Sequence, residues 1–195
     1  KWIDVQEPDE ATLVKLAERY GLHKLAVEDC MHLDQRPKLE EYPGHLFIVL
    51  QGFSCVDAKL TDITMHELHF FLGPDWVITV HEKAHLAIEA VHKRLDADPT
   101  GTLGRGVDFV AYLLADAQVD LAFPVMEAFS DALDTLEDEI FESPRRGLMQ
   151  QIFELKRTLV LVRKVMSPQR DVVGMLARRG IPGVNERTTI YFRDV

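Results

Sequence analysis

The sequence predicts an α+β fold, in which an α/β/α sandwich-like domain with a mixed sheet precedes a long antiparallel helical hairpin. Two observations lead to this prediction. Over the first 102 residues, segments with helical spacing alternate with short runs of β-branched and aromatic residues that are bounded by Gly and Pro. After Gly106, apolar residues recur every three or four positions along two longer stretches. The chain of 195 residues, 47% of them hydrophobic, can bury a sizeable core.

The first predicted elements are a strand-like opening segment, KWIDV, and two helices. Pro8 suits the first turn of a helix that ends at Gly21. The apolar residues of this helix keep helical spacing: Leu13, Leu16, Ala17 and Tyr20. The acidic pair Glu28-Asp29 lies at the end of the second helix. Arg36-Pro37 then fixes a turn before a strand that begins near His45.

Three apolar runs predict strands over residues 46–50, 68–72 and 76–80. Gly73-Pro74-Asp75 separates the last two and has a tight-turn composition, so we expect those two strands to pair as a hairpin. Helical spacing returns from Ala84 to about Asp98.

The predicted hairpin consists of two long amphipathic helices. The first begins near Val107, with a kink or break expected near Asp120 because Pro124 removes a backbone hydrogen bond. Its apolar seam comprises Met126, Phe129, Leu133, Leu136 and Ile140. Ser143 and Pro144 suit the N-cap and first turn of the second helix, whose apolar side comprises Ile152, Leu155, Leu159, Val162, Val165 and Met166. If the two seams bury each other, Leu133→Ala costs about 2–5 kcal/mol.

The charge of the chain bears on its partners. A formal net charge of −10 and a pI near 5.2 argue against binding nucleic acid and favour cations or basic partners. Seven acids and no Lys or Arg lie between Glu127 and Glu142. This run can attract cations, but we interpret it as the solvent-facing side of a helix, since charge runs are usually exposed.

Two cysteines, Cys30 and Cys55, are too few for a disulfide framework and fit a reducing compartment. The sequence has no apolar run near the roughly 20 residues that span a bilayer, and its first residues lack the apolar core of a signal peptide. We therefore expect this stretch to be soluble. Its strand-like start and its end without a helix stop signal lead us to expect a piece of a longer chain.

An HExxH motif is present at His81-Glu82-Lys83-Ala84-His85. In zinc peptidases this spacing places two imidazoles on one helical face, with the glutamate activating a zinc-bound water. Here residues 76–80 are predicted as a strand, so only His85 would lie on the following helix. His66 and His69 are expected to point to opposite faces of their strand. A junction with polar side chains is therefore favoured over a hydrolase site.

Several unlike segments resemble the cytoplasmic domain of the CorA family of divalent-cation transporters. These are GLHKLAVEDCMHLDQRPKLEEYPGHLFIVL at residues 21–50, Leu114-Ala115-Asp116, LKRTLVLVRK at residues 155–164 and YFRDV at residues 191–195. The resemblance implies an α/β domain over residues 1–102, a helical hairpin over 103–180 and the start of a stalk helix over 181–195. It also implies two membrane helices and a Gly-Met-Asn loop outside this sequence.

The same resemblance implies functional residues. Asp29 matches a position that contributes to a regulatory divalent-cation site, and Asp194 matches the stalk aspartate that completes this site from the adjacent subunit. Glu28 and Asp116 match residues of a second, weaker site. The implied function is metal sensing in a Mg²⁺ or Co²⁺ transporter, with the bound cation favouring the closed channel. The implied assembly is a homopentamer at the cytoplasmic side of a cell inner membrane, without enzymatic activity.

Three alternatives stay open at this point. Glu28-Asp29 can simply cap or solvate the end of a helix, since exposed acids are usually surface residues. Within the superfamily, Ser167-Pro168-Gln169-Arg170 favours a ZntB-like zinc transporter, whereas the YFRDV segment favours CorA. Outside it, the alternative is a soluble zinc-dependent hydrolase that uses His81, Glu82 and His85.

Overall fold

A computed structural model of the protein describes residues 1–32, 34–55, 60, 62–142 and 147–195. A five-stranded sheet forms its centre, and it consists of β1 (Trp2–Gln6), β2 (Lys38–Tyr42), β3 (His45–Cys55), β4 (Ile63–Leu72) and β5 (Val77–His81). The strand order is β1-β5-β4-β3-β2, with β1 parallel to β5 and the other neighbours antiparallel. The predicted mixed sheet is confirmed.

The predicted β4–β5 hairpin is also confirmed, and the N–H of Gly73 donates to the carbonyl of Trp76 at 2.9 Å across the turn. Strand β2, in contrast, was not predicted. It pairs with β3 from Lys38 opposite Val49 to Tyr42 opposite His45. Its sequence, KLEEY, lacks the apolar pattern of a strand because β2 lies at the edge of the sheet, where few of its side chains need to be apolar.

Helices cover both faces of the sheet, as the α/β/α prediction requires. Alternate residues of β3 point to opposite sides, so that Leu46 and Ile48 belong to one core and Phe47 and Val49 to another. The second core is covered by α1 (Glu10–Tyr20) and α2 (Lys24–Met31). The first core is covered by α3 (Leu86–Ala97), α4 (Val107–Asp120), the end of α6 (Leu148–Leu176) and α7 (Glu186–Phe192).

Helix α1 begins two residues later than Pro8 suggested. Asp9 is its N-cap, and the Asp9 carboxylate accepts a hydrogen bond from the backbone N–H of Thr12 at 2.6 Å. Pro8 therefore precedes the cap. Gly21 ends the helix as predicted, with a left-handed φ of 68° that glycine adopts without steric cost.

The break predicted near Asp120 is confirmed, because α4 ends at Asp120 and α5 runs from Phe123 to Glu142. Pro124 lies in the first turn of α5, where its missing N–H costs no helical hydrogen bond. Ser143 and Pro144 lie outside the described residues. Helix α4 is largely buried on the sheet, and the hairpin itself consists of α5 and α6. The division at residues 102 and 180 stays a prediction.

The two hairpin helices share a core at one end only. Phe129 is 5% exposed and packs in a cluster with Val125, Val162 and Val165, to which Phe53 of β3 also contributes. The prediction of a continuous buried seam was wrong, since Leu133 is 53% exposed and Leu159 is 49% exposed. The physical reason is that Phe53 of β3 and Leu60 complete this core beside Phe129, and farther along α5 it is Ala132, not Leu133, that packs against it.

Among the described residues, the stretch Val107–Phe141, which comprises α4, the break after it and most of α5, is long and apolar enough to cross a membrane, with a mean hydropathy of 1.4 over its most apolar window. The sequence analysis predicts no membrane-spanning run in this region. Half of that window is buried inside the protein. Because α4 packs on the sheet, core burial explains this apolar character.

Candidate metal centre

Asp29 lies on α2 and is half-buried against the edge strand β2. Its Oδ2 atom is 2.5 Å from Nζ of Lys38, and the same ammonium group is 3.3 Å from Oε1 of Glu40. The strand places both partners there, because Lys38 and Glu40 are two residues apart and so point to the face that α2 covers. Burial opposes the charged amine, but the Asp29 hydrogen bond and the charges of Glu40 and Asp29 outweigh it and raise the pKa of Lys38. The neighbouring Glu28 is exposed.

Asp116 and Asp194 lie on the other side of the sheet. Asp116 belongs to α4 and is half-buried, whereas Asp194 follows α7 and is exposed. Burial and the charges of Asp120 and Asp194 raise the pKa of Asp116, against the opposing effects of Arg94 and Tyr112. A carboxylate oxygen is a ligand that hard divalent ions prefer, so Asp116 is of a suitable type for such an ion.

The position of Asp194 follows from the packing of the YFRDV segment. Phe192 is buried in the main core, and the Tyr191 hydroxyl accepts a hydrogen bond from Arg105 at 2.6 Å. The Arg105 guanidinium also lies 3.7 Å from the ring centroid of Phe109. With its neighbours anchored in this way, the segment leaves the Asp194 carboxylate at the surface.

Asp116 and Asp194 thus lie on elements of one helical layer, α4 and the end of α7, whereas Glu28 and Asp29 lie on α2 in the opposite layer. Over the described ranges of the chain, no three His, Cys, Asp or Glu side chains converge on a position that could hold a metal ion. The four predicted site residues stay predictions.

The HExxH motif does not form the arrangement of a zinc peptidase. His81 is the last residue of β5 and His85 is the N-cap of α3, so the two do not share a helix, as the sequence indicated. Both ring nitrogens of His81 are occupied: Nδ1 lies 2.6 Å from the carbonyl of Lys83 and Nε2 lies 3.1 Å from Oδ1 of Asp4. Glu82 is exposed between them. The geometry gives no support to the hydrolase alternative.

The family model of the CorA-like Mg²⁺ transporter protein matches residues 1–195, the whole length of the chain. The chain belongs to this family. The cobalt/magnesium transport protein CorA of Thermotoga maritima is 32% identical over 195 residues, which are 100% of this chain and 55% of that protein. The solved structure of the soluble domain of CorA from Methanocaldococcus jannaschii matches with a TM-score of 0.81 and 25% identity, over 99% of this chain and 76% of that one.

A zinc transport protein ZntB of Yersinia pseudotuberculosis is also similar, at 27% identity over 153 residues, which are 77% of this chain and 45% of that protein. The similarity to CorA is therefore both higher and more complete. This CorA-like chain spans a little over half the length of such relatives, 55% for the Thermotoga maritima protein. The predicted family and fold are confirmed.

Sequence reasoning missed the residues that hold the segment before β2. Glu67 of β4 accepts hydrogen bonds from the backbone N–H groups of Asp34 and Gln35, each at 3.0 Å, and also contacts His69. His69 in turn lies 3.4 Å from Sγ of Cys30, on the face opposite His66, as the alternation predicted. Burial raises the pKa of the Cys30 thiol, which keeps it protonated. A signal was available, since Glu67 directly precedes the apolar run at residues 68–72, a position where a carboxylate becomes partly buried.

Proposed function

We propose that the chain is the cytoplasmic, cation-sensing domain of a CorA-type Mg²⁺ or Co²⁺ transporter of the cell inner membrane. In this proposal a divalent cation binds between subunits and favours the closed channel. One observation supports the intersubunit position most directly: Asp29 lies in one helical layer of the chain, whereas Asp116 and Asp194 lie in the other. Carboxylates in opposite layers of one chain can face two different neighbouring subunits.

The primary site consists of Asp29 of one subunit and Asp194 of the next. Glu28 and Asp116 form the second, weaker site beside it. Mg²⁺ keeps most of its water and needs only one or two carboxylates, so its affinity is modest and suits a sensor of abundant ion. When the ion leaves, the carboxylates repel each other and the assembly shifts toward a more open arrangement.

The transporter context rests on the relatives. The chain matches proteins that are described as transporters, and it covers 55% of the Thermotoga maritima protein and 60% of the Methanocaldococcus jannaschii CorA. We propose that the rest of the full-length protein supplies the membrane helices and that the subunits assemble as a homopentamer. Neither nucleic acid binding nor catalysis belongs to this function, in keeping with the net charge of −10.

The decisive experiment uses the full-length protein and limited proteolysis at increasing Mg²⁺. An ion that binds only the closed assembly stabilises it by mass action, so wild type becomes protected at millimolar Mg²⁺. Asp29→Asn combined with Asp194→Asn abolishes this protection. Glu18→Gln combined with Glu89→Gln removes the same charge from exposed positions on α1 and α3 and leaves the protection in place.

Unchanged protection in the Asp29/Asp194 variant would refute the divalent-cation site and mean that both residues are ordinary surface acids. The same titration with Co²⁺ and Zn²⁺ addresses the ion. Protection by Zn²⁺ far below the Mg²⁺ concentration, lost in the same variant, would favour a ZntB-like transporter over a CorA-like one.

A further inference from the structure

The Asp29 carboxylate already has a cation beside it. Nζ of Lys38 is 2.5 Å from its Oδ2 atom, and the two side chains are only 26% and 24% exposed. We propose that Lys38 is a tethered competitor for the divalent cation: it neutralises Asp29 when the ion is absent and must move away for the ion to bind. This inference rests on the proposed function and adds a residue that sets the affinity of its site.

Lys38 is held in position by the strand that carries it. It pairs across the sheet with Val49, and its Nζ lies 5.6 Å from the ring centroid of Phe47 on the same face. Upstream, Pro37 is buried and the backbone of residues 34 and 35 is bound by Glu67. The backbone that carries the ammonium is therefore already fixed beside Asp29, so forming the ion pair costs side-chain freedom only, which makes Lys38 an effective competitor.

A second carboxylate makes the competition reversible. Glu40 lies 3.3 Å from the Lys38 ammonium through Oε1, while its Oε2 accepts a hydrogen bond from the Tyr42 hydroxyl at 2.8 Å. When an ion takes Asp29, Lys38 keeps Glu40 as its partner and no charge is left unpaired. Glu40 thus acts as the alternative partner that lets Lys38 give way.

The expected size of the effect follows from the exposure of the pair. Partly exposed ion pairs change an equilibrium by about two- to fivefold. Lys38→Met retains the apolar stem against Phe47 but removes the charge, so it should lower the Mg²⁺ concentration at half-protection of the full-length protein by about two- to fivefold. Glu40→Gln removes the alternative partner, so it should shift the midpoint in the opposite direction. Lys38→Arg, which keeps the charge, should stay closer to wild type than Lys38→Met.

Lys24→Met is the matched control, since Lys24 is an exposed lysine at the start of α2. If loss of a positive charge acts only through the overall electrostatic field, Lys24→Met should move the Mg²⁺ midpoint as much as Lys38→Met does. If Lys38 competes directly at Asp29, Lys24→Met should leave the midpoint unmoved. Melting temperatures without divalent ions are measured for all variants. A purely structural role for Lys38 would lower the melting temperature of Lys38→Met and leave the midpoint unmoved.

The outcomes separate this inference from the proposed function. If wild type is protected, the Asp29/Asp194 variant is not, and Lys38→Met has an unchanged or higher midpoint, the site stands and the competitor role of Lys38 is overturned. If wild type gains no protection from Mg²⁺, the site itself fails and the role of Lys38 fails with it. Opposite shifts in Lys38→Met and Glu40→Gln, with Lys24→Met unmoved, support the competitor.

Discussion

Truncation of two residues on α5, Phe129→Ala and Leu133→Ala, tests how far the hairpin core extends. The residues are four positions apart and so share one helical face. Phe129 is 5% exposed and packs against Val162 and Val165, whereas Leu133 is 53% exposed. The structure therefore predicts very different costs for two truncations one helical turn apart.

The magnitudes follow from burial. Truncating a fully buried phenylalanine to alanine costs about 3–5 kcal/mol, because the transfer free energy of the removed atoms is lost and a cavity is left behind. Leu133→Ala removes three carbons at about 0.8 kcal/mol each when fully buried, and about half of this contribution is present here. The gain in helix propensity reduces the cost slightly, leaving about 1 kcal/mol. The earlier expectation of about 2–5 kcal/mol for Leu133→Ala assumed full burial.

Urea unfolding followed by circular dichroism, at several protein concentrations, measures both costs. Slopes for proteins of this type are about 1–3 kcal/mol per molar urea, so Phe129→Ala should lower the midpoint by more than about 1 M. Equal midpoint shifts for the two variants would refute the distinction between a buried and an exposed end. A large cost for Leu133→Ala that grows with protein concentration would mean that another subunit covers this face.

Two further predictions concern single residues. Burial and the charges of His81 and His66, opposed by Asp4, lower the pKa of His85 to about 4. As the pH falls, His85 therefore takes up a proton in the unfolded chain before it does so in the folded protein. The free energy of unfolding falls by about 2–3 kcal/mol between pH 7 and 4.5. His85→Gln should remove most of this fall in the free energy of unfolding, measured with urea. Parallel pH profiles for wild type and variant would contradict the prediction. Gly52→Ala should cost about 1–3 kcal/mol by overpacking, since its Cβ would lie 2.7 Å from Leu121. The same assay should show no loss for Gly174→Ala, which meets open space.

The sequence predicted those elements whose pattern reflects their own burial. Strands β3 and β4 are apolar because they lie under helices on both faces, and α1 could be recognised from its spacing and from Gly21. The seam on α5 was misjudged for a related reason. Periodicity identifies which face of a helix is apolar, but it contains no information on which residues of that face another element covers, as Phe53 of β3 does beside Phe129.

The candidate site residues stay predictions. The resemblance to CorA singled out Asp29, Glu28, Asp116 and Asp194, and the structure places Glu28 and Asp29 in one helical layer and Asp116 and Asp194 in the other. The resemblance could not have predicted the ion pair between Asp29 and Lys38, because that contact joins a helix to an edge strand that the sequence pattern did not reveal. His85 is a similar case. Its two ring nitrogens are buried without a partner among the described residues, although its sequence context indicated only a polar junction.

The placement of Asp29 and Asp194 in opposite helical layers has a consequence for symmetry. If an ion joins them as proposed, it joins two unlike surfaces, so the contact is head-to-tail. Such contacts close into a ring when the rotation between neighbouring subunits closes, and every subunit of that ring offers one half of a site on each side. Each junction then holds its own ion. Because losing one ion leaves the other junctions intact, the assembly can respond to falling Mg²⁺ in steps, one junction at a time.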